Sequence, residues 1–277
     1  MDAPELVALL KGRRVAVLTG AGISTDSGIP DYRGPDSPPA NPMTIRQFTS
    51  SSEFRQRYWA RNHLGWRHMA RTRPNAGHRA LAALERAGAV TGIITQNVDL
   101  LHTKAGSRNV INLHGTYAQV VCLDCDYTMS RAALAEQLEA ANPGFAERTE
   151  KIGGLAVAPD ADAVVDDTES FRFVDCPSCG GMLKPDIVYF GESVRKSVVD
   201  QAYSLVDASG ALLVAGSSLT VFSGYRFVRH AAAHKIPVAI VNRGATRGDD
   251  LATVKVDTGC SEMLTLLADE LAGRIPA

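Results

Sequence analysis

The 277-residue sequence lacks any apolar run approaching the roughly 20 residues that a membrane-crossing helix needs, and its longest apolar stretches are strand-sized. Neither sign of charge is in excess. The 29 basic residues stand against 30 acidic ones, without the basic field of a dedicated nucleic-acid binder, so neither a membrane nor a nucleic acid is expected as a partner. Cysteine is scarce. Of the five, four form two tight pairs and only Cys260 stands alone, which suits a reducing compartment and not a disulfide scaffold. The opening MDAPELVALLKGRRVAVLTG reaches a core strand within about 15 residues, so no signal or transit segment is expected and the reading is a cytoplasmic protein. Also missing is the third glycine of the redox dinucleotide fingerprint. Gly20-Ala21-Gly22 is followed by Thr25 where that glycine would stand, and the segment that should supply an acidic residue on the next strand reads SPPANPMTIRQF. An ordinary dehydrogenase is thereby disfavoured.

What is present is a 45% apolar chain long enough for one large domain with a smaller attachment. Strand-length apolar runs recur at 14–19, 90–95, 110–113, 211–215, 238–241 and 254–256, most of them continuous, as strands covered on both faces are. Helical patterns lie between several of them: HRALAALERAG, the stretch 198–208, YRFVRHAAAH and CSEMLTLLADELAG. The alternation predicts an α/β fold, a Rossmann-like doubly wound parallel sheet, with a smaller zinc-binding domain formed by insertions. The expected division is 1–30 plus 75–115 plus 185–277 for the sheet domain, 31–74 for a helical and cofactor-loop insertion, and 116–184 for the small domain. Residues 31–74 hold no convincing strand, and 142–170, rich in Gly, Ala and Asp, is poorly patterned.

Cys122-x-x-Cys125 and Cys176-x-x-Cys179 each turn two thiolates toward one point. Two such turns make a closed four-sulfur zinc site that holds a domain together and does no chemistry. Free thiols or a redox pair are the alternative.

In doubly wound proteins ligands sit beyond the carboxyl ends of the strands, so the strand tips deserve reading in turn. They carry Gly20-Ala21-Gly22, then Gln96-Asn97 with Asp99, then His114, then Gly216-Ser217-Ser218, then Asn242-Arg243-Gly244. Singly each has a plain explanation: a structural histidine, a helix cap at Asn97 or Asp99, a common turn. Together they outline one crevice of a size for a dinucleotide. The pattern from Phe54 to Trp66 reads as a helix packed on the core.

The motifs GAGIS…SGIPDYR, TQNVD…LH…AG, LHG, the two cysteine pairs, CGGMLKPDIVYFGE, GSSLTV and NRG occur in the order carried by the sirtuins, NAD-dependent protein deacylases. The sequence resembles that family from about Arg14 to Cys260, and in finer detail its class II branch. The resemblance implies that NAD, a consumed co-substrate, lies between the two domains, with one structural zinc per chain. It implies a loop including Gly20, Ala21, Gly22, Ser24, Ile29, Asp31, Tyr32 and Arg33 over the pyrophosphate and nicotinamide ribose. Gln96, Asn97 and Asp99 would hold the ribose and nicotinamide pocket, and Gly216, Ser217, Ser218, Asn242, Arg243, Gly244 and Cys260 the adenosine half. His114 would be the general base, with Asn97 beside it in the catalytic set. Acylated-lysine proteins would be the partners, their backbone pairing as a strand with the segment containing Val188, Phe190, Gly191 and Glu192.

In the implied reaction the acyl group passes to ADP-ribose with release of nicotinamide; mono-ADP-ribosyl transfer to protein is the alternative. Two departures from familiar relatives stand out: Phe222-Ser223-Gly224-Tyr225 where a proline is usual soon after GSSLTV, and Tyr32 where phenylalanine is usual. Tyr58-x-x-Arg61 superficially resembles the pair with which another branch reads acidic acyl chains. A surface arginine on a packing helix is the plainer reading.

Overall fold

The computed structural model of the chain describes residues 3–32, 42–150 and 168–272. It opens with α1 (Ala3–Leu10) and β1 (Val15–Thr19), followed by an insertion of α2 (Ile45–Ser50) and α3 (Ser52–Arg71). The alternation resumes with α4 (Ala76–Arg86), β2 (Val90–Thr95), the short α5 (Leu101–Lys104) and β3 (Val110–Asn112). A second insertion carries β4 (Gly115–Cys122), β5 (Thr128–Ser130), α6 (Arg131–Ala141), α7 (Phe145–Glu150) and β6 (Leu183–Ile187). The chain closes with α8 (Lys196–Asp207), β7 (Ala211–Ala215), α9 (Phe222–Ala233), β8 (Val238–Val241), β9 (Val254–Val256) and α10 (Cys260–Ala272).

Six strands form one parallel sheet in the order β3-β2-β1-β7-β8-β9. The winding reverses between β1 and β7, which makes that boundary the switch point where a crevice opens. Side chains alternate across the sheet, so both faces need apolar residues. Val15, Val17 and Leu213 pack under α1, α4 and α10, while Ala16, Leu18, Leu212 and Val214 pack under α8 and α9. That is why the strands read as continuous apolar runs. The predicted doubly wound sheet is the observed one. No helix among the described residues is long and apolar enough to cross a membrane.

The two insertions share a single core. Trp59 and Leu64 from α3 meet Tyr117 and Val120 from β4, Leu134 and Leu138 from α6, and Phe171. The smaller sheet is antiparallel, in the order β5-β4-β6. Its middle strand follows the tip of β3 directly, and its edge strand β6 leads straight back toward the crevice. Sequence reading missed α6, whose RAALAEQLEAA shows weak segregation of apolar residues. Of the poorly patterned 142–170, the beginning folds as α7, and Asn142 closes the loop by donating to the Arg172 carbonyl and accepting from its amide, both at 2.7 Å.

Arg131 lies within this shared core, fully buried, with its guanidinium over the rings of Trp59 and Trp66. It donates to the Asn62 side-chain and main-chain oxygens, and no carboxylate pairs with it among the described residues. Burial lowers its pKa to about 10, so it keeps its charge at neutral pH. Aromatic faces and amide dipoles compensate it in place of a counter-ion.

Gly115, at the start of β4, has φ +79°, and a Cβ there would overlap the Asp186 carbonyl of β6. Gly88, which ends α4, has a similar φ of +76° but open space around it. Gly115→Ala is expected to cost more than about 3 kcal/mol and Gly88→Ala only about 1 kcal/mol, as measured by urea unfolding.

Candidate active site

Two loops cross at the switch point. The chain leaves β1 through Gly20 and two short 3-10 turns, Ala21–Ile23 and Thr25–Ser27, and leaves β7 through Gly216. The Gly22 amide donates to the Gly216 carbonyl at 2.9 Å. A Cβ on Gly20 would come within 2.8 Å of that carbonyl, and one on Gly216, at φ +66°, would overlap the Ile23 amide. The missing side chain of Gly216 thus makes room for the other loop, while the residue also lines the cavity beyond.

Beyond the crossing lies a cavity of about 710 Å³, within the range of small-molecule sites. Its wall gathers Gly20, Ala21, Gly22, Ser24, Ile29, Asp31 and Tyr32 from the first loop, and Gln96, Asn97, Asp99 and His114 from the tips of β2 and β3. Gly216, Ser217, Ser218, Asn242, Arg243 and Gly244 come from the other half of the sheet, and Val188, Phe190, Gly191 and Glu192 from the turn after β6. Arg33 lies outside the described residues. Cys260 is not on this wall; its buried thiol packs behind Gly216 and the Val241 carbonyl, and burial pushes its pKa up to about 12.

The polar side chains are mutually fixed. Ser24 Oγ donates to Asp99 Oδ2 at 2.6 Å, Asn97 Nδ2 donates to Ser24 Oγ and to the Gly20 carbonyl, and Asp99 Oδ1 accepts from the Leu101 amide. Asp99 thus accepts the first amide of α5 and holds the loop at once. Gln96 Nε2 donates to Ser217 Oγ and the Thr19 carbonyl, tying the two halves of the sheet.

His114 Nδ1 lies 2.9 Å from the Gln96 carbonyl, and Nε2 lies 2.7 Å from Ser223 Oγ. A carbonyl only accepts, so Nδ1 carries the proton and Nε2 presents a lone pair to the cavity. Burial lowers the pKa of the ring, opposed in part by the Gln96 bond, and holds it neutral at pH 7. A neutral imidazole with an accepting Nε2 is able to take up a proton.

Sequence reading missed Met43, Val98 and Tyr189 and singled out Tyr58 and Ser223 without placing them in the site; all five line the cavity. Ile29, Met43, Tyr58, Val98 and Tyr189 belong to the core of the smaller lobe and give that side an apolar wall. Arg61 is not on the wall. The turn after β6 is held from within: Val188 donates to the His114 carbonyl, the Phe190 carbonyl accepts from Ile45, and Glu192 Oε2 takes the Tyr189 amide and Lys184 Nζ. It is a turn with one bridge to Thr44, not a continuous strand.

The four cysteine sulfurs all lie within 4.8 Å of one another. Cys122 Sγ is 3.6 Å from Cys179 Sγ, and Cys125 Sγ is 3.8 Å from Cys176 Sγ. Four sulfurs at about 2.3 Å from a tetrahedral centre stand about 3.8 Å apart, so the donor set fits a structural zinc. The amides of Asp124 and Gly181 donate to Cys122 and Cys179 Sγ, as suits thiolates.

Residues 20–223 match the model of the Sir2 family. The chain belongs to the Sir2 family. A Mycobacterium avium (strain 104) relative named NAD-dependent protein deacetylase 1 is 79% identical over 98% of this chain and 96% of its own length. The Drosophila melanogaster protein named NAD-dependent protein deacylase Sirt4 is 47% identical over 94% of this chain and 84% of its own. Among solved Sir2 structures, one with a p53 peptide and NAD+ superposes with a TM-score of 0.77 at 31% identity, covering 98% of each chain. Another, Sir2Tm with a propionylated peptide, gives a TM-score of 0.76 at 30% identity, again covering 98% of each.

Cys176→Ser, which leaves three thiolates, is expected to lose the roughly one zinc per chain found by metal analysis and to lower the melting temperature by about 10 °C or more. A second expectation concerns two buried histidines beneath the loop crossing. His78 Nδ1 meets Asn75 Oδ1, His102 Nε2 meets Thr19 Oγ1, and their other ring nitrogens have no partner among the described residues. Burial lowers the pKa of both, for His78 to about 4. Below pH 6.5 the unfolded chain takes up protons that the folded chain refuses, so stability is complete above that pH and falls as pH drops toward 4. Unfolding free energies from urea melts at pH 7 and pH 5 should differ by about 2 kcal/mol from His78 alone, and His78→Phe should flatten that part of the slope.

Proposed function

We infer that this Sir2 protein is an NAD-dependent protein-lysine deacylase, transferring the acyl group to ADP-ribose with release of nicotinamide. The observation that carries the reading is the neutral His114, whose Nε2 lone pair faces a cavity built at the switch point of the sheet. Relatives named for deacetylation and deacylation support it, as does the likeness to Sir2 structures holding acylated peptide or NAD+.

Gly20 to Tyr32 and Arg33 would cover the pyrophosphate and nicotinamide ribose, and Gly216 to Ser218, Asn242 to Gly244 and the Cys260 main chain would hold the adenosine half. The acyl-lysine would enter beside Val188, Phe190, Gly191 and Glu192, its acyl chain on the apolar wall of Ile29, Met43 and Val98. His114 would accept the proton of a ribose hydroxyl so that its oxygen can attack the acyl carbon. Asn97, anchored to Ser24 and Gly20, would keep the loop in register with that base. The NAD-binding domain then comprises 1–30, 75–115 and 185–277, with 31–74 and 116–184 as insertions. The segments RQRYWARN, SGYRFV and TRGDDLA support placing the chain in the class II branch. Cytoplasmic residence is consistent with the reduced cysteines.

His114→Ala should lower kcat/KM for deacylation by about 10²- to 10⁴-fold while NAD affinity and zinc content persist. A panel of acetyl, long-chain, lipoyl and dicarboxylic acyl-lysine peptides, read by nicotinamide release, identifies the preferred chain. Mass spectra showing ADP-ribose on protein without deacylation of any peptide would move the reading to mono-ADP-ribosyl transfer.

A further inference from the structure

Ser223 sits in the first turn of α9, in the segment where the sequence departs from familiar sirtuins. It lines the cavity, and its Oγ is 2.7 Å from His114 Nε2. The direction of this bond is fixed by what happens on the other side of the ring. Nδ1 gives its proton to the Gln96 carbonyl, so Nε2 of the neutral ring can only accept and the Ser223 hydroxyl donates. The next residue, Gly224, reaches the same pair from behind: a Cβ on it would stand 2.5 Å from Gln96 Oε1. The start of α9 therefore rests on both the base and the residue that orients it. The imidazole is gripped at both nitrogens, one by main chain and one by a side chain that can rotate away.

We propose that Ser223 is a positioning residue for His114: its hydroxyl holds the Nε2 lone pair aimed into the cavity and yields it to the ribose hydroxyl when the co-substrate binds. The second half of this statement rests on the deacylase reading; the first does not. The exchange swaps one hydroxyl donor for another on the same lone pair. The ring therefore neither turns nor changes tautomer between the free and loaded site, and little reorganisation stands between binding and proton transfer. Without the serine, the Nδ1 bond alone leaves the ring able to swing about it.

The test uses the full-length zinc-loaded protein. In ¹⁵N NMR of wild type without NAD, His114 is expected as the Nδ1-protonated tautomer with a hydrogen-bonded Nε2. Ser223→Ala should move the Nε2 signal toward that of an unbonded lone pair. With an acyl peptide, Ser223→Ala should lower kcat about tenfold while KM for NAD changes less than about twofold. Ser223→Thr, which keeps the hydroxyl, should recover most of kcat and the wild-type Nε2 signal. Zinc content and melting temperature check that each variant is folded. A protonated Nε2 in wild type overturns the proposal even if the alanine variant does not fold. So does an Nε2 signal or kcat that is the same in wild type and Ser223→Ala, or an equal loss in the alanine and threonine variants. A wild type that releases no nicotinamide with any acyl peptide would sink the deacylase reading while leaving the NMR result on Ser223 intact.

Discussion

The crossing of two loops at Gly22 and Gly216 is the constraint on which the rest of the site depends. Parallel strands β1 and β7 are neighbours, so the segments leaving their carboxyl ends compete for the same space. The conflict is resolved by backbone contact: the Gly22 amide on the Gly216 carbonyl, and the Gly20 amide on Ala215. With the loops locked at their roots, the polar groups beyond them diverge around an open space and do not collapse on each other. Gln96 then spans the crossing through Thr19 and Ser217, and its carbonyl orients His114. The His114 ring is thus held by the same few residues that keep the cavity open.

The smaller lobe is tied to the site through one short path. The interlocked cysteine turns place β6 against β4, and β6 runs without a break into the turn that lines the cavity. Lys184, within β6, is buried; its ammonium reaches Glu192 Oε2 at 3.0 Å and lies over the Tyr189 ring. Burial lowers the pKa of Lys184 while the Glu192 carboxylate opposes the shift. A half-buried pair of this kind adds little net stability, but it fixes geometry because Lys184 also donates to the Ile187 carbonyl and Glu192 also accepts the Tyr189 amide. A metal site that does no chemistry can in this way still determine how the turn after β6 presents Val188 to Glu192.

Much of this was legible in the sequence because both faces of the parallel sheet are covered. Runs such as VAVLT and ALLVA have no polar face to alternate with, and the chemistry is confined to the strand ends, where polar residues stand out against them. The cysteine pairs were equally plain, since their spacing carries the geometry. What stayed hidden depends on long-range packing. Nothing local in GSSLT says that Gly216 is needed to pass another loop. Cys260 follows a strand tip as the cavity residues do, yet packs behind the wall. Tyr58 reads as a packing residue and is one, its ring buried beside Phe48 and Tyr189 while the same residue lines the cavity. The buried charge of Arg131, satisfied by rings from a helix some 70 residues earlier, has no sequence signature at all.

The opening loop shows how a departure from one motif can be agreement with another function. A redox enzyme needs a helix directly after its glycines, so that the helix end meets the pyrophosphate and the cofactor stays whole between turnovers. Here the glycines lead into two 3-10 turns, a left-handed Gly28 at φ +82° and Ile29 buried in the core of the other lobe. Ser24 within that loop is hydrogen-bonded to Asp99 and Asn97, which follow closely on Gln96, the residue whose carbonyl meets His114. A segment rooted in one lobe, anchored at mid-length to the strand tips and packed at its far end in the other lobe can shield a reacting centre from water better than a helix end can. A hydride-transfer site has no reactive cation to shield. A site that breaks a glycosidic bond does, and the loop's break from the redox fingerprint follows from that difference.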